Sequence, residues 1–199
     1  MKIKQAEKFA MNVHKGQKDN YGVSYFEHPK RVAGLLKKWG QDEDVIVAGL
    51  LHDVVEDSEV SLKDIEKNFG KMVAFLVDGM SWIRNKKTMV KDWPGTYKKF
   101  VKYSKKDPAL VLIKKADMYG NPNEKTPKKL PSATIKHIRK GAGGRIKAFW
   151  IPFFREMGFK DLASRIYNHI DKYYKKKEKI ILYDYFSKEE LKKIKEKLR

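Results

Sequence analysis

One histidine and four carboxylates crowd into GLLHDVVEDSEV, residues 49–60 of a chain otherwise rich in lysine. On a helix, His52 and Glu56 lie on one face, with Asp53 and Asp57 one step round it. A histidine and three carboxylates can then project toward a common point. Like charges so close repel unless something positive sits among them, and a divalent cation is the simplest remedy. A solvated acidic turn beside a core histidine accounts for the same stretch. Two other stretches bear on the choice. SYFEHPKRVA (24–33) sets His28 at a helix start, and LVLIKKADMYGN (110–121) ends an apolar run on Asp117, flanked by Lys114 and Asn121. A carboxylate in that setting needs a partner, because burying a lone charge is costly.

The elements that must position these residues read as helices almost throughout. Ile3, Ala6, Phe9, Ala10 and Val13 form one amphipathic stripe over residues 2–15. His28-Pro29 opens a second helix, whose stripe of Val32, Leu35, Leu36 and Trp39 stops at Gly40. Asp42 can cap a third helix running through Val45, Ala48, Gly49, Leu51 and His52. Ser61 and Asp64 resemble a capping box before a short fourth helix ending at Phe69-Gly70. Helical patterns continue at 71–84, 96–105, 108–119, 145–157 and 160–174. The polar stretches RNKKTMVKDWPG (84–95) and NPNEKTPKKLPS (121–132) read as irregular, and GAGG (141–144) marks a break. IILYDYF, within the tail 172–199, reads as a strand or a connector, with a last charged helix after it. The expected architecture is all-α: one helical domain over residues 1–170 and a basic C-terminal extension over 171–199.

Composition narrows the chemistry. The 199 residues suffice for one well-buried domain, and 41% hydrophobic residues exclude a mainly disordered chain. Forty-five basic residues against 25 acidic ones leave a formal charge of +20, which favours polyanionic partners. No cysteine is present, so disulfides, thiolate nucleophiles and Cys-based metal sites are excluded. The N-terminus reads as an amphipathic helix rather than a signal peptide, and no window reaches the ~18 apolar residues of a membrane span. A soluble, cytoplasmic protein without membrane partners is expected.

The order HP…LLHDVVED…FG…LIKxAD…N resembles the HD-domain phosphohydrolases, and in particular the (p)ppGpp hydrolase domain of RelA/SpoT proteins and their small stand-alone relatives. The resemblance runs from about residue 5 to about 160. It implies that His28, His52, Asp53 and Asp117 bind one divalent cation, for which a mixed N/O donor set suits Mn²⁺. It implies that Glu56 and Asp57 position water or act as general base, and that Lys18, Tyr25, Lys114 and Asn121 line the substrate pocket. The reaction implied is hydrolysis of guanosine-3′,5′-bis(diphosphate) at its 3′-pyrophosphate, releasing pyrophosphate. Long members place a synthetase after this domain; a chain of 199 residues is expected to lack it.

The chain departs from that pattern where the family usually carries Arg-Lys, for it has Asp19 and Asn20, with Lys18 just before. After Asp117 it reads Met118-Tyr119-Gly120-Asn121 in place of Arg-Leu-His-Asn. Two alternatives follow: an HD hydrolase for a different nucleotide or phosphate ester, and a non-catalytic scaffold that binds nucleotide or RNA. His14 could face the site or bond a helix-end carbonyl. His137 and His169 read as surface residues, and Trp82, Trp93 and Trp150 as packing residues. The lysine runs at 172–179 and 192–197 read as solvated faces, with nucleic acid a partner not favoured. The tail aromatics could pack on the domain or on a second subunit.

Overall fold

The computed structural model describes residues 1–19, 22–84, 88–120, 143–172 and 174–198, and the chain is all-α as expected. The described residues gather into two compact units, 1–121 and 122–199.

In the first unit, α1 (Lys2–Val13), α2 (Glu27–Lys38), α3 (Glu43–Leu51), α4 (Val54–Asp57), α5 (Leu62–Phe69) and α6 (Lys71–Met80) follow in order. A two-stranded antiparallel hairpin comes next, β1 (Ile83–Arg84) with β2 (Lys91–Asp92), then α7 (Trp93–Lys106) and α8 (Ala109–Gly120). The centre is α3. From Val45 to Leu51 every residue is buried, as a helix apolar all round must be, and α1, α2, α6 and α8 pack around it. Leu110, Val111, Ile113 and Ala116 bring α8 into the same core.

Three expectations are corrected. The third helix stops at Leu51 rather than running through His52, and Asp42 takes its N-cap position without a side-chain bond. At its far end, His52 Nδ1 bonds the Gly49 carbonyl (2.9 Å), a side-chain contact that competes with the helical ladder. The loop expected over 84–95 contains the hairpin and the start of α7. Asp92 caps that helix by accepting from the Gly95 amide, and Pro94 occupies the first turn, where a missing N–H costs nothing. The capping box is present as expected: Ser61 Oγ accepts from the Asp64 amide, and Asp64 Oδ2 from the Ser61 amide.

The second unit holds α9 (Gly143–Arg145), a π-helical stretch (Ile146–Trp150), α10 (Ile151–Glu156), α11 (Lys160–Asp171), a 3₁₀ turn (Leu182–Asp184) and α12 (Lys188–Lys197). Its core is aromatic, with Phe153 5.6 Å from Phe186 and Phe149 4.9 Å from Trp150. Residues 171–199 supply Leu182, Phe186, Leu191 and Ile194 to that core. IILYDYF is a connector closed by the 3₁₀ turn, not a strand. The stretch 121–132, residues 141–142 and His137 lie outside the described residues, and His169 is half-buried.

Gly49 sits where α3 crosses α2, and a Cβ there would overlap Leu36 Cδ1, itself fully buried. Alanine favours a helix by ~1 kcal/mol over glycine. Overpacking of a filled core costs ~1–3 kcal/mol, so Gly49→Ala should lower stability in urea denaturation rather than raise it.

Candidate metal centre

Three helix ends meet in the first unit. The opening turn of α2 carries His28, the turn after α3 carries His52 and Asp53, and the last turns of α8 carry Asp117. On an unbroken helix, adjacent residues diverge by about 100°. The turn at 52–53 lets neighbouring side chains share one target, and this replaces the i,i+4 geometry expected there.

The distances are short. His28 Nε2 lies 3.3 Å from Asp117 Oδ1 and 3.8 Å from Asp53 Oδ2. His52 Nε2 lies 3.1 Å from Asp53 Oδ2 and 3.9 Å from Asp117 Oδ1. One ligand atom from each of His28, His52 and Asp53 falls within 4.8 Å of the others. His52 is 2% exposed, and its Nε2 is buried without a hydrogen bond of acceptable geometry. Its Nδ1 is committed to the Gly49 carbonyl, which leaves Nε2 as the atom to donate a lone pair. Such an orphaned nitrogen, facing carboxylate oxygens and a second imidazole, fits a cation site.

Each carboxylate is held from behind. The Tyr25 hydroxyl donates to Asp53 Oδ2 (2.7 Å) and Lys114 Nζ to Asp117 Oδ2 (2.6 Å). Burial alone would raise Asp117, but the Lys114 ammonium and the two imidazoles hold it well below the usual carboxylate range. Burial likewise opposes ionisation of Asp53, yet the adjacent His52 brings it down to about 2. Burial would lower His52, and the Asp53 carboxylate instead raises it to about 9.

Glu56 and Asp57, on α4, border the cluster. Glu56 Oε1 accepts from the Trp82 amide (2.8 Å), whereas Oε2 is buried without a partner. Desolvation, with the charge of Asp53 added, pushes Glu56 up to about 8. Asp57 is raised by the same two causes in the same order. Among the expected substrate residues, Tyr25 and Lys114 contact the carboxylates of Asp53 and Asp117 directly. Lys18 is exposed and bridges to Ser24 through the backbone, and no described contact joins it to the cluster. Asn121 and Asn20 lie outside the described residues. Asp19 accepts from the Val23 amide (3.0 Å) and so ties its own loop.

Two contributors had no distinct signal in the sequence. Trp82 acts through its backbone amide, which any residue but proline would offer. Gln17 donates from Nε2 to the Asp57 carbonyl (3.1 Å) and accepts at Oε1 from His14 Nδ1 (2.8 Å). His14 therefore bonds a side-chain amide rather than a helix-end carbonyl. Beyond the carboxylates, the Lys91 ammonium lies over the Trp82 ring, and Trp93 is 6.1 Å from that ring. Trp150, in the second unit, is buried packing.

The family described as HD domain matches residues 6–118. A GTP pyrophosphokinase of Streptomyces coelicolor is 39% identical over 119 residues, covering 60% of this chain and 14% of that protein. A guanosine-3′,5′-bis(diphosphate) 3′-pyrophosphohydrolase of Aquifex aeolicus is 35% identical over 119 residues, covering 60% and 17%. The bifunctional (p)ppGpp synthase/hydrolase SpoT of Escherichia coli is 35% identical over 125 residues, again covering 60% and 17%. The chain thus spans only a small part of these relatives' length. A solved structure described as a metazoan ortholog of SpoT that hydrolyzes ppGpp shares the fold. Its TM-score is 0.56 at 23% identity, over 86% of this chain and 94% of that one.

A cation must displace the proton that His52 carries below about pH 9, and the one on Glu56 below about pH 8 if that group is drawn in. Asp53, ionised above about pH 2, adds nothing to the slope near neutrality. Affinity for a divalent cation measured by calorimetry should therefore tighten by ~10-fold per unit as pH rises from ~6.5 to ~8.5, and more steeply below about pH 8 if Glu56 is drawn in, with proton release visible as a dependence on buffer ionisation enthalpy. A pH-independent affinity would contradict this.

Proposed function

The chain belongs to the HD-domain family, a divalent-metal-binding fold, and we propose that it is a metal-dependent phosphohydrolase cleaving guanosine-3′,5′-bis(diphosphate) to release pyrophosphate. The observation that carries this reading is the meeting of His28, His52, Asp53 and Asp117 beside the desolvated Glu56, with Asp57 at the edge. Relatives named for that activity support it. The reading assigns the activity to residues 1–170 and leaves the basic stretch 171–199 outside it. It takes a nucleotide as the partner and the cytoplasm as the setting; among the described residues no helix is long and apolar enough to cross a membrane.

His28, His52, Asp53 and Asp117 would hold the cation, for which two imidazoles and two carboxylates with no thiolate suit Mn²⁺. A bound divalent ion supplies Lewis acidity toward a phosphate oxygen and lowers the pKa of a water. Tyr25 and Lys114 keep the two aspartates aimed and ionised, and Lys114 adds a positive charge to the wall where a phosphate would seat. Water oxygen bonds to phosphorus as the bond from phosphorus to the 3′-oxygen breaks. A proton leaves the water, and the departing oxygen gains one. Glu56, at about 8, sits near working pH, where a carboxyl exchanges protons most effectively. Asp57, exposed at the edge of the cluster, is the second group for that exchange.

One observation favours a second reading. Asp19 stands where a basic residue is usual, and its carboxylate is bonded within its own loop. An acidic group there would repel a phosphate, so the same chemistry could serve a different nucleotide or phosphate ester.

With Mn²⁺, the purified protein should release pyrophosphate from guanosine-3′,5′-bis(diphosphate) faster than it hydrolyses GTP, GDP or nucleoside monophosphates, and Asp53→Asn should abolish turnover. Tyr25→Phe, which removes only the hydroxyl behind Asp53, should lower activity or metal affinity by ~10–100-fold. Preferential cleavage of another compound would install the second reading. No metal-dependent release from any nucleotide or other phosphate ester would sink both.

A further inference from the structure

His14 has no part in the chemistry above, yet it is only 1% exposed and its Nε2 is buried without a hydrogen-bond partner. Its protonation at Nδ1 follows from the contacts around it. The Asp57 backbone carbonyl can only accept, so the Gln17 atom facing it at 3.1 Å is the amide nitrogen. The other end of Gln17 is then the carbonyl oxygen Oε1, also an acceptor, and His14 Nδ1, 2.8 Å away, must carry a hydrogen and donate it. A carbonyl two bonds removed thus fixes which imidazole nitrogen is protonated.

The same short segment touches the site on two sides. Gln17 accepts from the Tyr25 amide through its own carbonyl (3.0 Å), and Tyr25 is the residue whose hydroxyl supports Asp53. The His14 ring lies 4.9 Å from the Tyr25 ring. Gly16, at φ +81°, makes the turn that returns the chain from α1 toward these contacts, a backbone angle that side chains resist.

We propose that His14 is a positioning residue: by donating from Nδ1 it fixes the orientation of the Gln17 amide, and Gln17 in turn holds the Asp57 turn in place beside the metal cluster. The proposal rests on the phosphohydrolase reading for its consequence and on the hydrogen-bond chain for its existence. Reverse the Gln17 amide, and an oxygen faces the Asp57 carbonyl in place of a donor. The turn is then pushed away from the cluster. A displacement of about 1 Å in a catalytic group costs on the order of 100-fold in rate.

The experiment compares His14→Phe, His14→Asn and Gln17→Leu in the full chain, with Mn²⁺ and the substrate that the wild type cleaves. His14→Phe keeps a ring against Tyr25 but cannot donate. It should lose ~10–100-fold in kcat while KM and Mn²⁺ affinity stay within ~3-fold. An asparagine amide nitrogen can stand where Nδ1 stood, so His14→Asn should recover most of that loss. Gln17→Leu should match His14→Phe, and the double variant should be no worse than either alone, as expected for residues acting in series. Full activity in His14→Phe, equal damage in His14→Asn, or additive losses in the double variant would overturn the proposal. A wild type that cleaves nothing would fail the phosphohydrolase reading instead. The hydrogen-bond chain is then read in the metal-free protein from the ¹³C titration of the Asp57 carboxyl. Gln17→Leu, which leaves the imidazole in place, should move its midpoint by ~0.5 unit or more, and a midpoint that stays put would overturn it.

Discussion

A carboxylate taken out of water must be compensated, and the first unit is organised around that requirement at Asp117 and Asp53. Asp117 is 7% exposed, and an isolated charge so placed would cost several kcal/mol or simply take up a proton. Lys114 sits one helical turn earlier, at 2.6 Å, and two imidazoles approach from α2 and from the end of α3. Asp53 is supported by the Tyr25 hydroxyl from the segment before α2. Lys114 and His28 come from α8 and α2, which pack on α3, and His52 continues from α3 itself. The arrangement that satisfies the charges is therefore also the arrangement that buries the core.

The position of the cluster at helix ends has an electrostatic consequence. Both α3 and α8 finish at it, and helix C-termini carry partial negative charge from carbonyls without helical partners. Two such ends beside Asp53 and Asp117 deepen the potential felt by a cation. Glu56, meanwhile, accepts a hydrogen bond from the Trp82 amide, at the foot of the hairpin. That bond moderates the rise that desolvation imposes, and it couples the carboxyl to a segment remote in sequence.

How much of this could be read from residue order depends on the kind of interaction. Apolar spacing at three and four residues located α1, α2 and α8 well, because helix faces repeat. The side chains at His28-Pro29, His52-Asp53 and Asp117 were legible as candidates, since chemistry of this kind needs those residue types. The break at His52 was not legible: a histidine bonding the carbonyl three residues back is a local choice between two similar energies. The hairpin at 83–92 has two residues per strand, too short for any alternation to show. Trp93-Pro94-Gly95 read as punctuation because proline and glycine also open helices, and only the Asp92 cap distinguishes the two uses. Backbone donors such as the Trp82 amide leave no trace in sequence.

The chain's charge and the site's charge have opposite signs, and that opposition would order the events of binding. A formal charge of +20 attracts polyanions toward the protein as a whole. At the cluster, though, the carboxylates of Asp53, Asp117 and Asp57 stand against Lys114 and His52, while Glu56, pushed up to about 8, keeps its proton near neutrality. A phosphate arriving before the cation would meet net negative charge at a distance too short for salt to screen. A cation held there would reverse that sign. Global attraction gathers polyanions without regard to identity, and the local charge would decide whether one can be seated. A site of this kind would refuse a polyanion until a cation filled it, even though the rest of the chain draws one in.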